Sequence, residues 1–83
     1  MTFYERYQQE KTWSNKATVM GLFHITMRER DPHWSVTSTA NYFDCSIGLA
    51  SENIKLADAI HSHPKILRCE TRQDAIKFLG SHR

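Results

Sequence analysis

The stretch Ser38–Ala57, STANYFDCSIGLASENIKLA, holds two apolar patterns with one break between them. Before the break, Val36, Ala40 and Phe43 recur at spacings that share one face of a helix. After it, Leu49, Ala50, Ile54, Ala57 and Ile60 do the same. The break itself is Asp44, Cys45 and Ser46. Asp tolerates a positive φ better than most L residues, though less well than Gly. The Ser46 hydroxyl can accept a bond from one of the unpaired N–H groups that open a helix. The expectation is two helices crossing steeply over a short turn. Ala40 is small where the first helix packs on the second, Phe43 plugs the core, and Cys45 is partly buried. Ala50 and Ile54 are expected to anchor the second helix.

Upstream, Ser35 is a good cap for the helix in WSVTSTANYF. Before it, SNKATVMGLFHITMRER places Val19, Met20, Phe23 and Met27 on one helical face, with Ser14 or Asn15 as the cap. Val19, Phe23 and Ile25 also alternate, and Gly21 permits a strand. The segment nevertheless exceeds the ~5–6 residues of a typical strand, so a helix is expected. Pro32 ends it by disfavouring helical geometry at Asp31. Nearer the start, Phe3, Tyr4 and Tyr7 form the aromatic face of a short helix with Thr2 and Glu5 as a capping box, or else part of a frayed arm. Downstream, PKILRC reads as a helical turn or a short strand. TRQDAIKFLGSHR reads as a final helix capped by Thr71, supported by Asp74 and followed by Gly80. The expected fold is all-α, one domain over residues 1–83. Residues 1–13 form an arm or short helix, 34–57 the paired helices, and 64–83 a helical tail.

A chain of 83 residues buries a limited share of its surface and is marginally stable alone. Its 40% hydrophobic and 24% charged residues are ordinary globular values and exclude disorder throughout. The net charge is +2, and it is uneven. Residues 1–44 carry five basic and five acidic side chains, whereas residues 45–83 carry six and four. The excess falls in the half that begins with the second of the paired helices, which is consistent with a DNA-facing side, though +2 is too small a charge to establish a polyanion partner. Cys45 and Cys69 form no CxxC pair. The start, MTFYERYQQEK, lacks the apolar centre of a signal peptide, and no run approaches the ~20 apolar residues of a membrane span. A soluble protein of the reducing cytoplasm, without a membrane partner, is expected.

With WSVTSTANYF, SIGL and SENIKLA in view, Trp34 to Ala57 resembles the helix-turn-helix of phage and plasmid DNA-binding proteins, including the reading unit of ParB-like partition proteins. HPKILRCETRQDAIKFL resembles the helical tail that often follows such units. Two positions depart from the common pattern: Asp44 stands where Gly is usual, and Ala50 where Val or Ile is usual. The chain is far too short for a ParB nucleotide-binding region, so partition activity is not implied. The resemblance implies a compact multi-helix domain built around a helix-turn-helix that binds double-stranded DNA. It also implies a small transcriptional regulator of phage or mobile-element type. The second helix would lie in the major groove, its start near base edges. That start is Ser46, Ile47, Gly48 and Leu49, followed by Ser51, Glu52 and Lys55. Ser46 and Ser51 would hydrogen-bond, Gly48 would admit close backbone approach, and Glu52 would accept from cytosine. Lys55 would meet phosphate, as would the helix start bearing Ser35, Thr37 and Ser38. One such helix reads few base pairs, so a homodimer is expected, joined through the Phe3–Tyr4–Tyr7 face or the last helix.

Simpler readings stand beside these. Ser46 serves equally as a cap alone, and Glu52 as a solvated charge or a partner of Lys55. The same helix pair also suits a protein partner such as a polymerase, a nuclease or another large complex. His61, His63, Cys45 and Cys69 are zinc-ligand types, but their spacing fits no standard finger. HSHP is more simply a polar helix end. His24 reads as a packed side chain, and Trp13 and Trp34 as packing at helix starts. Arg28 and Arg30 are solvated ends paired with Glu29 or Asp31, or phosphate ligands. No nucleophile–base pair, phosphate-binding glycine loop or paired carboxylates stand out, so neither an enzyme nor a cofactor is expected.

Overall fold

Hydroxyl side chains start almost every helix of this chain. In the computed structural model, which describes residues 1–81, Thr2 caps α1 (Phe3–Gln9) in a reciprocal capping box with Glu5. Thr12 caps α2 (Trp13–Arg30), Ser35 caps α3 (Val36–Phe43), and Ser46 caps α4 (Ile47–Ser62). Thr71 accepts from the Asp74 N–H at the start of α5 (Arg72–Ser81). A 3-10 turn, Pro64–Arg68, links α4 to α5 and buries Ile66. Among the described residues there is no strand, and the fold is all-helical. Its radius of gyration, 12.4 Å, is that of a compact chain of this length.

Several local expectations change. α2 begins at Trp13 rather than after Ser14 or Asn15, because Thr12 takes the cap by accepting from the Asn15 N–H. Trp13, now inside the first turn, donates its indole N–H to the Cys69 carbonyl at 2.9 Å and so ties α2 to the end of the 3-10 turn. PKILR resolves as that turn, not a strand. Gly80 does not follow α5 but lies within it, with no positive φ, and Ser81 extends the helix by donating to the Lys77 carbonyl. The arm reading of residues 1–13 gives way to a true helix. Phe3 and Tyr7 turn inward, so the aromatic face proposed for a dimer is largely spent inside the domain. His82 and Arg83 of the expected tail lie outside the described residues.

The core has two parts. Tyr7, Val19, Met20, Phe23, Ala40, Phe43 and Ala50 form one. Phe23 is its centre, edge-on to Phe3, Trp34 and Phe43 and stacked on Tyr42 at 4.2 Å between ring centroids. Ala17, Leu56, Ala59, Ile66 and Ala75 form the other. α2 and α4 contribute to both parts. They approach so closely that a Cβ on Gly21 would overlap the Cβ of Ala57. Gly21 therefore marks a helix crossing, not a strand.

The turn between α3 and α4 is closed by backbone bonds. Asp44 takes the left-handed conformation (φ 56°, ψ 49°). Cys45 N–H donates to the Ala40 carbonyl at 3.0 Å and Asp44 N–H to the Asn41 carbonyl at 3.3 Å. This is the paired-bond arrangement that satisfies the last carbonyls of a helix, and Gly fits its left-handed position at no steric cost.

Two stability changes follow. Asp44→Gly raises stability by about 0.5–1 kcal/mol and the melting temperature by several degrees in thermal unfolding. Gly21→Ala, which gains ~1 kcal/mol of helix propensity on an exposed site, is instead net destabilising here, because the overlap with Ala57 forces α2 and α4 apart. Adding Ala57→Gly recovers most of the loss in the same melts.

Candidate nucleic-acid interface

The core side of α4 is set by Ala50, Asn53, Leu56 and Ala59, all buried. Asn53, the polar member of that line, donates from Nδ2 to the Tyr7 hydroxyl at 3.4 Å. The opposite side carries Ile47, Gly48, Lys55, Asp58 and Ser62, all exposed, with Ser51 half-buried beside them. Residues 47, 51 and 55 are four apart and so form one strip along the helix.

Each expected site residue has a defined place. Ser46 Oγ accepts from the Leu49 N–H at 3.1 Å, so its hydroxyl is a cap first, yet the residue is exposed. Ile47 is 54% exposed, although a side chain of its size gains most from burial. At Gly48 a Cβ would meet nothing within 4 Å, which leaves the backbone of the first turn open to a ligand. Leu49 is half-buried. Glu52 pairs with Arg72 rather than with Lys55. Its Oε1 accepts from Arg72 Nη2 at 2.6 Å, with the two side chains 45% and 31% exposed. That contact ties α4 to α5 and removes the free carboxylate from the strip. At the start of α3, Ser35 Oγ accepts from the Ser38 N–H, and Ser38 Oγ accepts from the Ser35 N–H. Both hydroxyls are committed to the cap, and Thr37 is exposed next to them.

Ile54 is the clearest misplacement. Expected as an anchor in the core, it is half-buried and lines a groove between α2 and α4. The buried line runs through Asn53 instead, because the Tyr7 hydroxyl gives that amide a partner. Sequence spacing also misses Arg72, 20 residues from Glu52, and Tyr42, whose ring is 38% exposed while stacked on Phe23. The only advance signal for Arg72 is its place in the first turn of the final helix.

Other candidate chemistry is used up in packing. His24 is buried; its Nδ1 lies 2.7 Å from Thr39 Oγ1, which also accepts the Trp34 indole N–H at 2.8 Å. This fits a neutral imidazole whose Nδ1 accepts the Thr39 hydroxyl proton. Burial, and then the charge of Arg28, hold the His24 pKa below its ordinary value. Arg28 itself donates to the Trp34 carbonyl at 3.0 Å rather than to an acidic neighbour. Burial, and then the charge of Asp44, push the Cys45 thiol up, which disfavours the reactive thiolate. Among the described residues, no three His, Cys, Asp or Glu side chains converge as a metal site. Nor is any helix among them long and apolar enough to cross a membrane. Comparison of the chain with protein-family models, curated proteins and solved structures finds no match.

The His24 environment has a pH consequence. The unfolded chain takes a proton at the ordinary value of 6.5, whereas the folded chain resists it. The stabilisation is therefore complete above that pH and is lost as pH falls toward the lower folded value. Urea denaturation between about pH 7 and pH 5 will show stability falling with pH, and His24→Gln will flatten that slope.

Proposed function

We propose that this protein binds double-stranded DNA sequence-specifically, with α3 and α4 acting as a helix-turn-helix and no catalysis. The observation that carries the reading is the strip on α4. The helix is anchored from behind by Ala50, Asn53 and Leu56, while Ile47, Gly48 and Lys55 are left bare. An exposed Ile on the first turn suits the methyl group of thymine, the one apolar feature of the major groove. Ser46 and Ser51 offer hydroxyls to base edges, and Gly48 lets the backbone approach. Leu49 backs this turn. Lys55 meets phosphate, as does the start of α3, where Ser35 and Ser38 hold the cap and the exposed Thr37 is left to make the contact. Glu52 enters as half of an ion pair with Arg72, which reduces its repulsion from the DNA backbone and leaves it less available to read cytosine. A role as a small transcriptional regulator of phage or mobile-element type rests on the resemblance of Trp34 to Ala57 to such proteins.

A second reading, a module that binds a polymerase, nuclease or other large complex, is favoured by the weak charge of the strip, where Lys55 is offset by Asp58. Salt separates the two. In fluorescence anisotropy with pooled random duplexes, DNA binding will weaken steeply between about 50 and 200 mM salt. Lys55→Glu will lower affinity for all duplexes and reduce the salt slope by about 1. Ser51→Ala and Ile47→Ala will instead change which duplexes are selected. Binding that ignores both salt and these substitutions overturns the DNA reading in favour of the protein partner.

A further inference from the structure

A short chain of polar contacts joins the beginning of α3 to α2. His24 Nδ1 lies 2.7 Å from Thr39 Oγ1, one turn into α3. The same oxygen accepts the Trp34 indole N–H at 2.8 Å. The Trp34 carbonyl in turn accepts from Arg28 Nη1 at 3.0 Å. The chain thus leaves α2 at residue 24 and returns to it at residue 28, four positions on along the same face. Trp34 stands directly before the Ser35 cap, so these bonds fix where α3 begins. His24 is buried and Thr39 fully so. Thr39 Oγ1 has two partners among the described residues: its proton goes to the neutral His24 ring, and it accepts from Trp34.

We propose that His24 is a proton-operated latch: when its ring takes a second proton, the start of α3 is released from α2 while the rest of the core holds. The second proton goes to Nδ1 and turns an acceptor into a donor. Thr39 Oγ1 then faces two donors, and its own hydrogen must leave the contact. A hydroxyl hydrogen left unpaired in a buried place is costly. The new charge also opposes Arg28 and so loosens the bond to the Trp34 carbonyl. One proton therefore acts on both ends of the chain. Arg28 is the charged group whose field reaches the ring, and together with burial it keeps the imidazole neutral at ordinary pH. α3 brings no charged side chain between Val36 and Phe43, and its Tyr42 is stacked on Phe23. α1 meets the neighbouring Phe23 through the apolar Phe3. Before α3, Asp31 Oδ1 accepts from the His33 N–H, and both residues are exposed. The far end of α3 stays put because Ala40 and Phe43 lie in the core, and the helix rests chiefly on α4. The loss of stability on acidification belongs to the whole chain, whereas the latch places the first structural response at one helix end.

The inference stands apart from DNA binding, and its test contains no DNA. The full isotope-labelled chain is titrated by NMR from about pH 7.5 to about pH 4.5, on either side of the ordinary histidine value. At the upper end the His24 ring carries its proton on Nε2. As the ring titrates, the Trp34 indole N–H and the Thr39 signals shift with the same midpoint, and the nuclear Overhauser contact between Trp34 and Phe23 is lost. The Leu56 and Ile66 signals and the helical circular dichroism are retained. His24→Asn leaves a non-titrating oxygen near the place of Nδ1, and this variant keeps the Trp34–Phe23 contact across the range. If it fails to fold, the shared midpoint in the unaltered chain decides the matter. Four results overturn the latch: a neutral ring protonated on Nδ1, Trp34 signals that stay put or follow His33, His61 or His63 as His24 titrates, a folded His24→Asn chain that still loses the contact, or a change that comes only with cooperative unfolding. None of them bears on the duplex titration.

Discussion

α2 and α4 cross where one helix has no side chain and the other has a single carbon. Gly21 and Ala57 let the two backbones approach closely, and most of the fold is arranged around that approach. The two longest helices then form a spine that both halves of the core share. The aromatic cluster centred on Phe23 lies toward one end, and the aliphatic cluster of Leu56 and Ile66 toward the other. α1 and α3 close the first cluster, while the 3-10 turn and α5 close the second. With α4 held this way, its outer strip and its groove with α2 are left open to solvent.

Much of this was legible where the cause is local. A hydroxyl three residues before a free N–H is a short-range signal, and Thr2, Ser35, Ser46 and Thr71 all act as read. The left-handed Asp44 was legible for the same reason, since only a turn-tolerant residue suits that break. The failures differ in cause. α2 starts early because Thr12 takes the cap, a local effect, whereas the tie from Trp13 to the Cys69 carbonyl is one that no spacing foretells. Gly80 continues a helix because nothing at its position demands a positive φ.

The exposure of the candidate strip was legible. Ile47, Gly48 and Lys55 lie bare on α4. The charge arrangement was not. Glu52 was weighed against its neighbour Lys55, but its partner comes from another helix, and a guanidinium fork makes a stronger contact than a flexible ammonium. The groove was also hidden. Leu22 and Ile25 fall outside the face traced by Val19, Met20 and Phe23, so their exposure emerges only once α2 is seated on α4.

Asn53 has a consequence for how α4 is oriented about its own axis. Turning the helix by one residue, about 100°, would bring Ile54 into the interior and make the core more apolar. It would also strip the Asn53 amide from the Tyr7 hydroxyl and drive Asp58 toward Gly21, where there is room for little more than a methyl group. The buried amide and the missing Cβ thus act together as an azimuthal lock. The chain forgoes a greasier interior, and in return the same edge of α4 always points outward.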